Sequence, residues 1–338
     1  MDTVIVSGGT GFVASWVIVK LLEKGYKVKA SFRNDSKADA LRLGIEKVVG
    51  SDVLKNLSFF KADLTSEANW KEAMDGAIAV MHIASPLGNG TEKKEELVKI
   101  AKEGTLNILK SAIEAKVPHI IMTSSQAAST PHSSVGSITL DESFWTDITN
   151  PELDPYRISK IEAEKVAWEF VKDKNISLTT ILPGAVFGPL LSKESNSTNE
   201  IIAKIMLGMP GVIKVGMEVS DVRDLAELHI LALENEVARG KRYLAADQSI
   251  TMQEMAQTLK IQFPEFKKIK IRAIPNFIVI IGSKFIPSFR SFVPMLKRRY
   301  QHTAKLAETE LGWQQHAPKE TIIATAESLI KFEIVSLK

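Results

Sequence analysis

The chain contains no cysteine. That excludes disulfide staples and thiolate catalysis, and it suits a reducing compartment. No apolar run reaches the roughly 18 to 20 residues that a bilayer-crossing helix needs. The most apolar stretch, "IPNFIVIIGSKFIPSF" from Ile274, is broken by proline, glycine and lysine, and it reads as a core or lid helix. The chain enters its first strand-like run without a basic segment and apolar leader, so a cytoplasmic location is expected and a membrane partner is not. Charge of one sign is scarce too: 43 Lys and Arg stand against 40 Asp and Glu, a formal net charge of +3. Such a balance excludes the dense basic face of a nucleic-acid binder and leaves small molecules as partners. The cluster "LKRRY" at 296–300 reads as a solvated helix face. No metal site is expected.

What is present is the composition of an ordinary globular protein, 45% hydrophobic and 25% charged over 338 residues. Short apolar runs, "TVIVSG", "YKVKASF", "LSFFKADL", "IAVMHIA", "HIIMTSS" and "SLTTILPG", alternate with helical segments, among them Phe12 to Lys24, Glu92 to Ala115 and Pro155 to Lys172. This rhythm predicts an α/β fold, a doubly wound Rossmann-type parallel sheet. After Gly184 the elements shorten and polar loops appear, which predicts a smaller C-terminal lobe that binds substrate. Residues 1–185 would form the nucleotide domain, with 219–250 returning to it, and 186–218 and 251–338 would supply most of the lobe.

"VIVSGGTGFVAS" sits where a first strand would turn into a first helix. Gly8 permits the tight turn, Gly11 lets backbone approach a pyrophosphate, and Ala14 lets helix pack on strand. The helix then aims its free N–H groups at the phosphates, with Thr10, Phe12 and Val13 around them. The second strand ends "KASFRNDSK", so Arg33 stands where an NAD site would carry an acid. A guanidinium there, with Lys37 one turn on, suits the 2′-phosphate of NADP. Asp63 and Leu64, at the end of the third strand, would meet the adenine, unless Asp63 only caps the next helix. Ala84, Ser85 and Pro86 would lie beside the middle of the cofactor. His82 reads as a packed strand histidine.

"DPYRISKIEAEK" sets Tyr156 and Lys160 four residues apart on one helix face, and "MTSSQAA" sets Thr123 and Ser125 at the carboxyl edge of the fifth strand. A carbonyl accepting hydride develops negative charge on oxygen and needs a proton. Tyr156 would give it, Lys160 would lower the phenol pKa and hold the ribose, and Ser125 would orient the carbonyl. A substrate pocket is expected from Ser85, Pro86, Leu87, Gln126, Thr130, Phe187 and Met206. No carboxylate-binding arginine stands out, so an uncharged carbonyl compound is expected.

Nine segments in order, from "SGGTGFVASW" through "MTSSQAA" and "DPYRISKIEAEK" to "DVRDLAELHILALE", are similar to the extended short-chain dehydrogenases/reductases. Within that group the chain resembles dihydroflavonol 4-reductases, cinnamoyl-CoA reductases and yeast-type aldehyde/ketone reductases. The resemblance implies NADPH as reductant, Ser125, Tyr156 and Lys160 as catalytic triad, and Pro183, Gly184 and Val186 at the nicotinamide. The segment "QAASTPHSSVGS" departs from the plant flavonoid pattern. The expectation is an NADPH-dependent carbonyl reductase, monomer or homodimer. The alternatives are a hydroxysteroid-type dehydrogenase, a nucleotide-sugar epimerase or dehydratase, and a non-catalytic NADP sensor.

Overall fold

A computed structural model describes residues 1–86, 94–195, 198–290 and 292–337. Seven strands form one parallel sheet: β1 (Thr3–Ser7), β2 (Lys27–Phe32), β3 (Leu57–Lys61), β4 (Ala77–His82), β5 (His119–Thr123), β6 (Ser177–Leu182) and β7 (Arg242–Leu244). Their spatial order is 7-6-5-4-1-2-3. The chain therefore winds one way from β1 to β3 and the other way from β4 to β7, and the reversal lies between β1 and β4. A crevice opens at such a reversal, above the carboxyl ends of the strands.

Both faces of the sheet are covered, which is why its central strands read as continuous apolar runs rather than alternating ones. On one face the helices Phe12–Glu23 and Val222–Glu234 pack over Val4, Val6 and Met81. On the other, Lys94–Glu114 and Pro155–Val171 cover Ile5, Val80 and Ile120. These last two are the expected long helices, ending within a residue of the predicted C-terminal boundaries; residues 92 and 93 lie outside the described set. Asp154 caps the second of them by accepting from the Arg157 N–H at 2.8 Å, and Pro155 opens it, where a missing N–H costs nothing.

A second apolar core gathers Phe187, Ile202, Met206, Met217, Val219, Met255 and Leu259 around a three-stranded sheet made by Ala185–Phe187, Gly216–Asp221 and Ser249–Thr251. Helices Met252–Gln262 and Pro318–Lys331 complete it. By contrast, Ala304, Ala307, Leu311 and Trp313 pack into the core of the large sheet.

Two expectations about the C-terminal segment are corrected. Of the core or lid helix expected from Ile274, the core reading falls: Asn276–Gly282 buries only Val279, leaving Phe277, Ile278, Ile280 and Ile281 exposed. Nor is 296–300 a helix face. A single 3-10 turn, Pro294–Lys297, ends there, and Arg298 and Tyr300 turn inward. Among the described residues no helix is long and apolar enough to cross a membrane.

Candidate active site

The site begins at the turn out of β1. Gly8 has φ +67, and a Cβ there would lie 2.9 Å from that of Ala84, so only glycine fits both the backbone and the close approach of the chain leaving β4. The Ser31 hydroxyl accepts from the Gly8 N–H at 2.8 Å, locking the turn to β2. Ser7 Oγ accepts from the N–H groups of Ile83 and Ala84, both at 3.0 Å, tying β1 to the end of β4. Gly11 stands at the head of helix Phe12–Glu23 with no side-chain cap, so the free N–H groups of the first turn face the crevice. A Cβ on Gly11 would touch only the Gly8 carbonyl, at 3.2 Å, and otherwise project into the space a phosphate needs.

The crevice is a cleft of about 800 Å³, within the range that buries a large ligand. Every residue expected at the nucleotide lies on it: Gly8, Thr10, Gly11, Phe12 and Val13 at the turn, and Arg33, Lys37, Asp63 and Leu64 at one end. Ala84, Ser85 and Pro86 line the middle; Thr123, Tyr156, Lys160, Pro183, Gly184 and Val186 line the other end. Arg33 leaves 80% of its side chain exposed, and its Nη1 sits 3.6 Å from Asp63 Oδ2. Asp63 uses its other oxygen to accept from the Thr65 N–H and hydroxyl, which hold its carboxyl below the usual range. It is thus an Asx turn as well as a wall residue. Asp35 pairs with Lys61, leaving Arg33 and Lys37 both on the cleft. A guanidinium, an ammonium and an uncapped helix terminus make a donor set for a phosphorylated dinucleotide.

At the far end Ser125 begins a 3-10 turn, its Oγ accepting from the Ala127 N–H at 3.1 Å. Tyr156 and Lys160 reach the same place from their helix. Burial pushes the Tyr156 phenol up to about 12 and the Lys160 ammonium down to about 8, with Glu164 pulling Lys160 the other way. The expected lowering of Tyr156 by Lys160 is not found. Lys160 Nζ instead donates to the Thr123 carbonyl at 2.9 Å, which directs its charge to the sheet edge. His82, on β4, is a buried structural ring: burial and the Lys160 charge hold it near 3, hence neutral.

Glu164 extends the same helix face by one more turn and is fully buried. It accepts from the Ser124 hydroxyl at 2.5 Å, the Thr180 hydroxyl at 2.7 Å and Arg242 Nε at 2.9 Å. Arg242 in turn stacks on Trp145 at 3.7 Å. A buried ion pair therefore fixes the helix that carries Tyr156 and Lys160 against the end of β5 and against β6 and β7. Sequence reading missed this pair, though Glu164 at four residues beyond Lys160 was a legible continuation of the face.

A second cavity of about 320 Å³ adjoins the cleft. The two share Ser125, Tyr156, Pro183, Gly184, Ala185 and Thr198. Gln126 and Thr130 line this cavity as expected residues of a substrate wall, whereas Ser85 and Pro86 stay on the cleft. Leu87 lies outside the described residues. Phe187 and Met206 are corrected: both are buried in the second core and reach neither space, because apolar side chains there close the lobe. In their place stand residues no local motif marks, Arg157, Glu218, Arg298, Tyr300 and His302. Glu218 is buried, ion-paired to Arg298, and accepts from the His302 N–H at 2.8 Å and its ring at 2.7 Å. Burial pushes the Glu218 carboxyl up, but His302 and Arg298 outweigh it and hold it down. The expectation of a wall without arginine is thus revised: two arginines line it, Arg298 bound to Glu218 and Arg157 at 3.6 Å from Asp154.

Residues 4–246 match the family model described as "NAD dependent epimerase/dehydratase family". The chain belongs to that family. It is an extended short-chain dehydrogenase/reductase, and an oxidoreductase. It is 32% identical over 283 residues to an anthocyanidin reductase, (2S)-flavan-3-ol-forming, of Vitis vinifera, covering 78% of this chain and 82% of that one. It is 32% identical over 273 residues to the dihydroflavonol 4-reductase of Callistephus chinensis, covering 78% and 74%. Among solved structures, yeast methylglyoxal/isovaleraldehyde reductase Gre2 complexed with NADPH superposes with a TM-score of 0.81 at 26% identity, over 98% of this chain and 99% of that one.

Proposed function

We propose that this protein is an NADPH-dependent carbonyl reductase that converts an aldehyde or ketone to the alcohol, reversibly. The observation that carries the reading is the junction of cleft and cavity at Ser125 and Tyr156: a ligand in the cavity and a dinucleotide in the cleft would meet at these two hydroxyls. When bound, the dihydronicotinamide supplies the hydride. Gly11 and the first turn of the helix would take the pyrophosphate, and Arg33 and Lys37 the 2′-phosphate.

Among the described residues Ser125 Oγ accepts one N–H and donates to no acceptor, so its proton is free to donate to a carbonyl oxygen and polarise it. Tyr156, with its phenol pushed up to about 12, is fully protonated near neutrality and therefore ready for reduction. It gives its proton to the developing alkoxide. The ammonium of Lys160 lines the same end of the cleft and donates to the Thr123 carbonyl, and from there it would hold the ribose of a bound dinucleotide. Burial of Lys160 keeps that charge out of competition with water.

The test is consumption of NADPH against a panel of aliphatic, aromatic and α-keto carbonyl compounds. At least one should be reduced, with NADPH about tenfold more efficient than NADH, as expected when one guanidinium reads the phosphate. No turnover with any compound, despite NADPH binding, would favour a sensor; equal use of both cofactors would remove Arg33 from its role.

A further inference from the structure

The exposed face of Asn276–Gly282 and the turn after it is unlike the rest of the surface. Phe277 is 63% exposed, Ile281 56% and Phe285 80%, with Ile278, Ile280 and Ile286 exposed beside them. Of the short helix only Val279 is buried, and it joins the second core, so the other apolar side chains are left wholly or partly exposed. Clustered apolar exposure of this kind marks a surface made to be covered.

Its surroundings say by what. Between Pro264 and Tyr300 nine lysines and arginines stand against one acid, Glu265, in a chain whose whole surplus is +3. Among the described residues Lys267, Lys270, Arg272, Lys284, Lys297 and Arg299 make no ion pair. Exposed apolar side chains in a chain segment rich in unpaired cations complement an anionic bilayer, the apolar groups entering the acyl boundary and the cations meeting headgroups. A nucleic acid would call for a run of stacking aromatics, whereas four of the six side chains, Ile278, Ile280, Ile281 and Ile286, offer a base no ring to stack on. A second copy of the same face would oppose cation to cation.

We propose that Phe277, Ile278, Ile280, Ile281, Phe285 and Ile286, with the cations of the same segment, dock the protein reversibly on an anionic membrane surface. The helix lies on the bilayer and does not cross it, as its seven residues require. The same segment runs on into Phe292, Pro294, Met295 and Arg298, which wall the cavity, so docking sets that cavity beside the lipid.

Co-sedimentation with vesicles tests this. Wild-type protein should pellet with vesicles of equal parts phosphatidylcholine and phosphatidylglycerol, stay in solution with phosphatidylcholine alone, and be released by high salt. A Phe277→Ser, Ile281→Ser, Phe285→Ser variant should bind at least about tenfold more weakly, and a Lys270→Glu, Lys284→Glu variant likewise. Both should keep a melting temperature close to the wild type, because these side chains are mostly exposed, and both should keep cofactor binding. Absence of wild-type binding to the anionic vesicles overturns the proposal, as does binding that the variants leave unchanged. So does a concentration-dependent dimer that the apolar variant abolishes while no vesicle is bound.

Discussion

Replacing Lys160 with methionine should stabilise the protein while it destroys turnover. The native ammonium is buried, and burial draws it from 10.5 to about 8. At about 1.4 kcal/mol per pKa unit, carrying that charge inside costs about 3 kcal/mol. Methionine has a similar reach and no charge, but it leaves the Thr123 carbonyl without its donor, a loss of about 1 kcal/mol. The net gain is about 2 kcal/mol near neutrality, a rise in melting temperature of about 3 °C for a chain of this size. Linkage fixes the pH dependence. Below pH 8 the native lysine is protonated and bears the whole cost. Between about 8 and 10.5 the native state releases its proton before the unfolded chain does, so wild-type stability climbs with pH. The advantage of the variant should therefore shrink across that window and reverse at its top, where only the lost hydrogen bond remains. Urea titrations of both proteins from pH 6 to pH 10 measure this directly. A less stable variant at pH 7, or a gain that ignores pH, would show that Lys160 is held by favourable contacts rather than against a desolvation cost.

Three further outcomes follow from the same geometry. Tyr156→Phe should reduce turnover by at least about a thousandfold, since no other hydroxyl supplies the proton, while NADPH affinity by fluorescence titration stays within about threefold; retained turnover would take Tyr156 out of the reaction. Arg33→Asp should weaken NADPH by about 10- to 150-fold, the worth of one charge-assisted contact, with NADH little affected; an unchanged preference in initial rates would mean that another cation reads the phosphate. Glu164→Gln leaves the Arg242 charge buried and uncompensated, so unfolding free energy should fall by about 3 kcal/mol, and adding Arg242→Met should restore most of it. An unmoved urea midpoint in the single variant would contradict the buried pair.

The sheet was readable because its central strands are covered on both faces and so are apolar throughout, and because Gly25 and Pro118 punctuate the helices between strands. The cofactor cleft was readable for a related reason: its residues sit at strand ends, and strand ends can be counted along the chain. The second cavity was not. Glu218 and His302 meet across 84 positions, and nothing local to either announces the other. Phe187 and Met206 misled because an apolar residue near a site looks the same whether it faces the ligand or the core. The stretch at 276–286 misled in the opposite sense, its isoleucines carrying the composition of an interior and the location of a surface.

Tyr156, Lys160 and Glu164 occupy three successive turns of one helix, and two of them line the cleft while the third holds the helix to the sheet. Chain length between them is consequently not negotiable. One residue inserted or deleted anywhere from 157 to 163 rotates everything beyond it by about 100°, which swings Lys160 or Glu164 out of place while leaving the helix intact. The stretch that runs from Thr130 to the start of the strand Thr139–Leu140, itself paired with Gln301–His302, reaches the same cavity from the other side and carries no such clock. Relatives that differ in length should therefore differ there, and a designer wishing to reshape the cavity can lengthen or shorten that loop without disturbing the count on which the chemistry depends.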